Sequence, residues 1–323
     1  MHQLFLVVGA ILTVAASSGP ASAQDYPNRT VRIVVPYAPG GGASLLAQIV
    51  GNKISELMNQ PVIVENKPGA GGNLGADLVA KSAPDGYTLL LHTSAMSSIS
   101  SLYTKLPFNP AKDFVPVSMV IATQLVIAGS PNIASTNLRE FVNVAKENPG
   151  AYNFGSSGPG SSLHLFAQLF CTEAGIKLVD VPYRGDAQMV TALIAGEIQL
   201  AFLPQANGVA AVQDHLVRGL GVTGVKRMRA LPNVPTALEQ GIKGLEVGSW
   251  VGMFAPAGTP PAIVLTVQQY LAKALADSKV REWLMSTGQE PVGNSPAEFD
   301  VQFKADIARF GEVVQTANIP KLD

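Results

Sequence analysis

Apolar positions along this chain follow two periods in turn. Short runs rich in β-branched residues, bounded by Pro and Gly, predict strands; between them, apolar positions three and four apart predict helices. The first such unit is the strand Val31–Val35, followed by Pro36 and Pro39, which deny a helix there, and by Gly40-Gly41-Gly42. A helix is predicted from about Leu45 to Leu57, with Ser44 as its cap. The alternation continues with strand Pro61–Val64, helix Leu74–Ser82, a Pro84-Asp85-Gly86 turn and strand Tyr87–His92. Phe114–Gly129 lies in a segment without charge and reads as two buried strands. Helix Leu138–Lys146, strand Tyr152–Phe154, helix Leu163–Ala174, strand Leu178–Val181, helix Ala187–Ala195 and strand Ile198–Leu203 follow. Strands Gly221–Thr223 and Trp250–Ala255 and helices Ala262–Ala276 and Ala297–Thr316 complete the pattern. Alternation of this kind predicts an α/β fold of parallel sheets flanked by helices.

The N-terminus departs from that pattern. Leu4–Ala16 is a largely apolar run, too short to span a membrane, and Ala21-Ser22-Ala23 is a cleavage signal before Gln24. Residues 1–23 are therefore expected to be a signal peptide, and the mature chain to be exported. No Cys follows the cleavage site, which argues against a lipid anchor. The net charge of −1 gives no reason to expect nucleic acid as a partner. Cys171 is the sole cysteine, so it cannot form an internal disulfide and reads as a buried thiol.

Candidate chemistry sits in the small-residue loops 37–44, 94–98 and 156–162. A helix beginning after such a loop points unpaired N–H groups and a partial positive charge into it, which suits an anion. Backbone donors and hydroxyls hold carboxylate or phosphate oxygens without reacting with them. Arg184 is the nearby cation candidate. The Gly69–Gly75 loop is not a dinucleotide fingerprint, because Leu74 stands where G-x-G-x-x-G needs Gly, so no cofactor is expected. Neither H-E-x-x-H nor C-x-x-C occurs, so no metal is proposed. A serine hydrolase using Ser157 or Ser161 with His164 is the alternative, although Pro159 breaks the G-x-S-x-G register. The loops favour binding over turnover.

Seven blocks in order carry a resemblance that covers essentially all of the mature chain: YPNRTVRIVVPYAPGGG, VENKPGAGGNLGADLVAKSAPDGYTLL, LYTKLPFNPAKDFVPV, FGSSGPGSSLHL, VPYRGDAQ, RALPNVPTALEQG and WVGMFAPAGTP. The chain resembles the extracytoplasmic solute-binding receptors of tripartite tricarboxylate transporters, the Bug family. That resemblance implies a two-domain periplasmic binding protein of type II, each domain a sheet flanked by helices, with the ligand cleft between them. It divides the chain into Gln24–Thr123 with Lys226–Asp323, and Gln124–Val225. It implies a small organic carboxylate as ligand, membrane permease subunits as partner, and a monomeric receptor without enzymatic activity; a carboxylate sensor docking on a signalling protein is a further alternative. By motif, the ligand contacts would be Tyr37, Ala38, Gly40 and Gly41 in the first loop, and Ser94 after the third strand. Ser156, Ser157, Ser161, His164, Tyr183 and Asp186 would come from the second domain. Two departures stand out: Ser44 and Gln48 replace the family's usual Asp and Arg, and Leu203-Pro204 replace its Asp-Asn. With both acids missing, a ligand ammonium group would lack counter-charges, so a non-amino acid is expected, with an apolar or aromatic body.

Overall fold

The structure, a computed structural model, describes residues 26–158, 161–183, 185–245 and 249–323. The expected signal peptide lies outside them. The chain runs β1 (Val31–Val35), α1 (Gly42–Met58), β2 (Val62–Asn66), α2 (Asn73–Ala80), β3 (Thr88–Thr93), α3 (Ile99–Leu102) and β4 (Phe114–Thr123). It continues with β5 (Leu125–Gly129), α4 (Leu138–Glu147), β6 (Asn153–Ser156), α5 (Ser162–Ala174), β7 (Val179–Pro182), α6 (Asp186–Ala195) and β8 (Leu200–Pro204). Last come α7 (Gln205–Gln213), β9 (Arg218–Val222), β10 (Ser249–Pro256), α8 (Pro261–Ala276), α9 (Ser278–Ser286), β11 (Glu290–Pro291) and α10 (Pro296–Thr316).

The strands form a six-stranded sheet, β11-β4-β10-β3-β1-β2, and a five-stranded sheet, β7-β6-β8-β5-β9. Both are mixed, which corrects the all-parallel expectation. β2, β1 and β3 are parallel, as are β7, β6 and β8, because each pair is joined through a helix. β10 runs antiparallel to β3 and β4, and β5 antiparallel to β8 and β9. β4 and β5 are nearly continuous in sequence yet lie in different sheets, so the chain passes from one sheet to the other at Gln124.

Each sheet has its own apolar packing. Val31, Ile33 and Val35 face α1 and α8 on one side of the first sheet, while Val34, Leu90 and Phe254 face the other. Phe154 of the second sheet packs with Phe141, Phe166 and Phe170, and Met228, Leu231, Val234 and Leu245 join that same cluster. α10 spans both. Its N-terminus carries a reciprocal Ser295–Glu298 capping box with Pro296 in the first turn. Phe299 and Phe303 then pack on Trp250 and Phe254 of the first sheet, and Phe310 packs edge-on against Phe166 of α5 at 5.7 Å between ring centres. A helix of this length is about 31 Å long, enough to tie the two halves together.

One local expectation needs correction, and two helices lie where none is predicted. α1 begins at Gly42, not Leu45: Gly40 takes φ +82° and Gly41 is the N-cap, without a side-chain cap. Ser44 lies in the first turn, buried, and cannot cap a helix that has already begun. α7 was not legible because Gly208 interrupts its pattern. A Cβ there would lie 2.5 Å from Cβ of Val126, so glycine is what lets this helix sit on β5. α9, opened by the Asp277 side chain on the N–H groups of Lys279 and Val280, was likewise unanticipated.

Candidate functional site

The loops after β1, β2 and β3 leave the C-terminal ends of parallel neighbours, where α/β sheets present their binding crevices. After β1, Tyr37 is half-buried, and Ala38, Gly40 and Gly41 are exposed. With Gly41 providing no cap, the first-turn N–H groups of α1 keep their donors and partial positive charge for an outside acceptor. No acidic residue lies in that turn to compete.

Asn66, the last residue of β2, holds this loop in shape. Its Nδ2 donates to Tyr37 O at 2.9 Å, and Ser44 Oγ donates to its Oδ1 at 3.2 Å. One side chain thus grips both the start of the loop and the first turn of the helix. The Tyr37 hydroxyl lies 2.6 Å from Thr93 Oγ1, and its ring meets the edge of His92 at 5.5 Å. Burial raises the Tyr37 pKa, partly offset by the bonds to Thr93, so the phenol stays protonated.

His92 forms the buried floor beneath. Its Nδ1 contacts Thr93 O at 2.9 Å. A carbonyl only accepts, so Nδ1 carries the proton and Nε2 is a bare acceptor. Burial pushes the His92 pKa down to about 4, keeping the ring neutral. Gly72, at φ +105°, approaches so closely that a Cβ would sit 2.9 Å from Nε2. The glycine-rich loop after β2 therefore serves to close over this histidine.

Ser94 is buried, and its Oγ lies 3.1 Å from Ser249 Oγ on β10. Thr123 Oγ1 donates to Ser249 O at 3.1 Å. Thr123 and Ser249 of the first sheet border a cavity of about 360 Å³ whose walls include Leu125 of the second sheet and Ser162, Leu163 and Phe166 of α5. The predicted residues themselves are not in its lining, which does include Ser249, the partner of Ser94, and Ser162, the neighbour of Ser161. A second cavity of about 380 Å³ adjoins at Thr123, Gln205 and Gln289 and is edged by Arg229 and Glu290; the predicted residues do not line it.

In the five-stranded half, Ser156 is buried at the end of β6, and its Oγ accepts from Gly158 N at 3.0 Å. Ser157 is exposed. Ser161 caps α5, accepting from His164 N at 3.3 Å. His164 is buried, stacked on Phe154 at 6.0 Å, with Nε2 3.4 Å from Gln168 Nε2 and 3.8 Å from Asp180 Oδ2. Burial lowers its pKa while the Asp180 carboxylate opposes the shift. Tyr183 N donates to Ser156 O at 2.8 Å, and its half-buried phenol is raised in pKa by burial and by Glu197. Asp186 opens α6; its side chain and Arg184 lie outside the described residues.

The predicted residues thus gather in two groups, one at the strand ends of each sheet, with Ser162 and Ser249 meeting across one cavity. Asn66, Thr93, Thr123 and Ser249 were missed. Their only sequence signal is a polar residue at a strand end. Among the described residues there is no cluster of metal-ligating side chains, and no helix is long and apolar enough to cross a membrane.

Residues 46–319 match the family model described as tripartite tricarboxylate transporter family receptor. Protein BugT of Bordetella pertussis is 32% identical over 321 residues, covering 98% of this chain and 97% of that protein. Among solved structures, Rpa4515 of R. palustris with adipate is 32% identical at TM-score 0.73, covering 92% of this chain and all of that one. MatC from Rhodopseudomonas palustris with bound malate is 31% identical at TM-score 0.70, covering 90% of this chain and all of that one.

Proposed function

Because the chain belongs to the tripartite tricarboxylate transporter family of receptors, we propose that it captures a small organic carboxylate between its two halves and delivers it to membrane permease subunits. The observation that carries this reading is the uncapped start of α1, held open by Asn66 and facing no acidic side chain in its first turn. One carboxylate sits on the N–H groups of the Tyr37–Ser44 loop, with Ala38, Gly40 and Gly41 bringing the backbone close. Ser94 extends that floor, and Ser156, Ser157, Ser161, His164, Tyr183 and Asp186 close from the other half. The relatives solved with adipate and malate support a carboxylate as the ligand class.

The protein acts in the periplasm after loss of residues 1–23, as a monomer, and takes no nucleic acid. The first lobe is Gln24–Thr123 with the C-terminal part, and the second begins at Gln124. In this reading the boundary expected at Val225 is extended to take residues 226–245 into the second lobe, which the packing of Met228, Leu231, Val234 and Leu245 with the five-stranded sheet supports. Closure couples affinity to lobe motion, since contacts from the second lobe form only when the halves meet.

X-ray scattering of Gln24–Asp323 with and without saturating acid tests this. A smaller radius of gyration with acid is expected. An unchanged radius at proven saturation rules out capture by closure.

A further inference from the structure

α5 is apolar on more than one side: nine of its thirteen residues, SLHLFAQLFCTEA, are buried. A helix packed only on its own sheet needs a single apolar stripe, as α4 shows with Leu138, Phe141, Val142 and Ala145. The extra face of α5 is covered by the other half of the chain. Phe170 meets Phe202 of β8, on its own sheet, at 5.9 Å between ring centres, whereas Phe166 meets Phe310 of α10 at 5.7 Å. Leu102 of α3, Val313, Val314 and Ile319 share that buried cluster.

The end of α10 that carries Phe310 is fixed to the first sheet. Asp306, one turn earlier, is buried, and its carboxylate accepts from Trp250 Nε1 at 2.8 Å and from Gln302 Nε2 at 2.9 Å. α3 braces it, with Ile99 packed in the cluster of Phe299 and Phe303. Beyond the helix, Leu322 N donates to Leu102 O at 2.7 Å and Thr104 N to Leu322 O at 2.9 Å. The two halves therefore meet at the chain crossing by Gln124 and again at this apolar seam. Phe166 also lines the cavity of about 360 Å³ with Thr123, Leu125 and Ser249, so crossing and seam flank one space. Packed interiors do not deform continuously, so a half held at both points turns about the line that joins them.

Resting on the receptor reading above, we propose that Phe310 is a positioning residue for the second half of the binding site. Through Phe166 it holds α5, whose start carries Ser161 and His164, at a set distance from the first half. Closure is then a rotation about the line through Gln124 and the Phe166–Phe310 contact. Without the ring, α5 draws away and the free protein samples wider openings. The arrangement that binds is less populated, and apparent affinity falls by that fraction.

The test places nitroxide labels at Asn52→Cys on α1 and Ala187→Cys on α6, two exposed positions, with the buried Cys171 left in place. Electron double resonance then reads the distance between the halves in free Gln24–Asp323. Phe310→Ala is expected to broaden the distribution and lengthen its mean by at least about 2 Å. Phe310→Leu, which keeps an apolar body in the seam, is expected to retain the wild-type distribution. Wild-type distances in Phe310→Ala, with urea unfolding showing the lost packing, overturn the inference, because the ring then only fills the core. If Phe310→Ala does not fold, Val313→Ala of the same seam is judged by the same criterion. Titration of the unlabelled proteins with adipate and malate supplies the second readout. Phe310→Ala is expected to bind at least about threefold more weakly than the wild type, with Phe310→Leu restoring the affinity; equal affinity overturns the inference. Acid binding by the wild type with unchanged distances in the variant removes the pivot and leaves the receptor reading. Longer distances with neither acid bound by the wild type keep the hold on α5 and count against the receptor reading.

Discussion

Replacing Gly41 by Asp should strengthen the fold and weaken the binding, an opposition that follows from the position alone. Gly41 is the N-cap of α1 at φ −72° and ψ 163°, the extended geometry an Asp cap adopts. A Cβ there has only Ala38 O nearby, at 3.5 Å, so the side chain fits. An Asp in this place bonds the first-turn N–H groups and meets the helix dipole. It should add about 0.3–1 kcal/mol of stability. The same carboxylate then stands where the ligand's carboxylate must go. Two such charges about 4 Å apart repel by about 1 kcal/mol in bulk water and about 4 kcal/mol near a protein surface. For an exposed cap, about 2 kcal/mol is reasonable, or a loss of about thirtyfold in affinity. Gly41→Ser supplies the cap without the charge and should cost only about fivefold, the worth of one donor. Urea unfolding and calorimetric titration of the three proteins, repeated at about 1 M salt where the Debye length is about 3 Å, separate the effects. If Gly41→Asp binds the acid as tightly as Gly41→Ser, the α1 N-terminus is not the anion site.

Other expectations follow from neighbouring contacts. Asn66→Ala removes the bonds to Tyr37 O and Ser44 Oγ; it should cost about 1–3 kcal/mol in urea unfolding and reduce acid affinity, whereas Ser44→Ala should cost about half as much. Ser161→Ala removes the α5 cap and should lower stability by about 1 kcal/mol in the same assay. For His92, the unfolded chain takes up its proton near the ordinary value of 6.5 and the folded chain only near about 4. Stability is therefore complete above 6.5 and declines as the pH falls towards 4, by about 3 kcal/mol at the lower end. Urea midpoints of the wild type and His92→Gln across that range should diverge in slope. Cys171, its thiol pushed up to about 12 by burial, should resist a disulfide reagent in the native protein and react once it is unfolded in urea.

What the sequence made legible was local. Val31–Val35, Tyr87–His92 and Trp250–Ala255 are recognisable strands because their apolar, β-branched or aromatic runs end in Pro, Gly or Ser, and β1, β3 and β10 lie close to those bounds. The Leu163–Ala174 stripe faces the core along α5. The antiparallel members of the sheets escaped because β10 returns to β3 and β4 from more than 120 residues away. Likewise, nothing near Ser94 in sequence announces Ser249, and nothing near Tyr37 announces Asn66. The loop glycines marked the candidate site. The side chains that hold those loops in place arrive from other strands, and only the fold brings them together.

The most direct test of the central claim is to titrate Gln24–Asp323 with one acid that binds and with its primary amide, which keeps the shape and removes the charge. An acid held by unpaired N–H groups at a helix N-terminus should bind at least a hundredfold more tightly than the amide, with a thermal-shift gain for the acid alone. At about 100 times its dissociation constant the acid should stabilise the fold by about 2.7 kcal/mol. Equal affinity for acid and amide would contradict the account, because the site would then recognise shape without the anion.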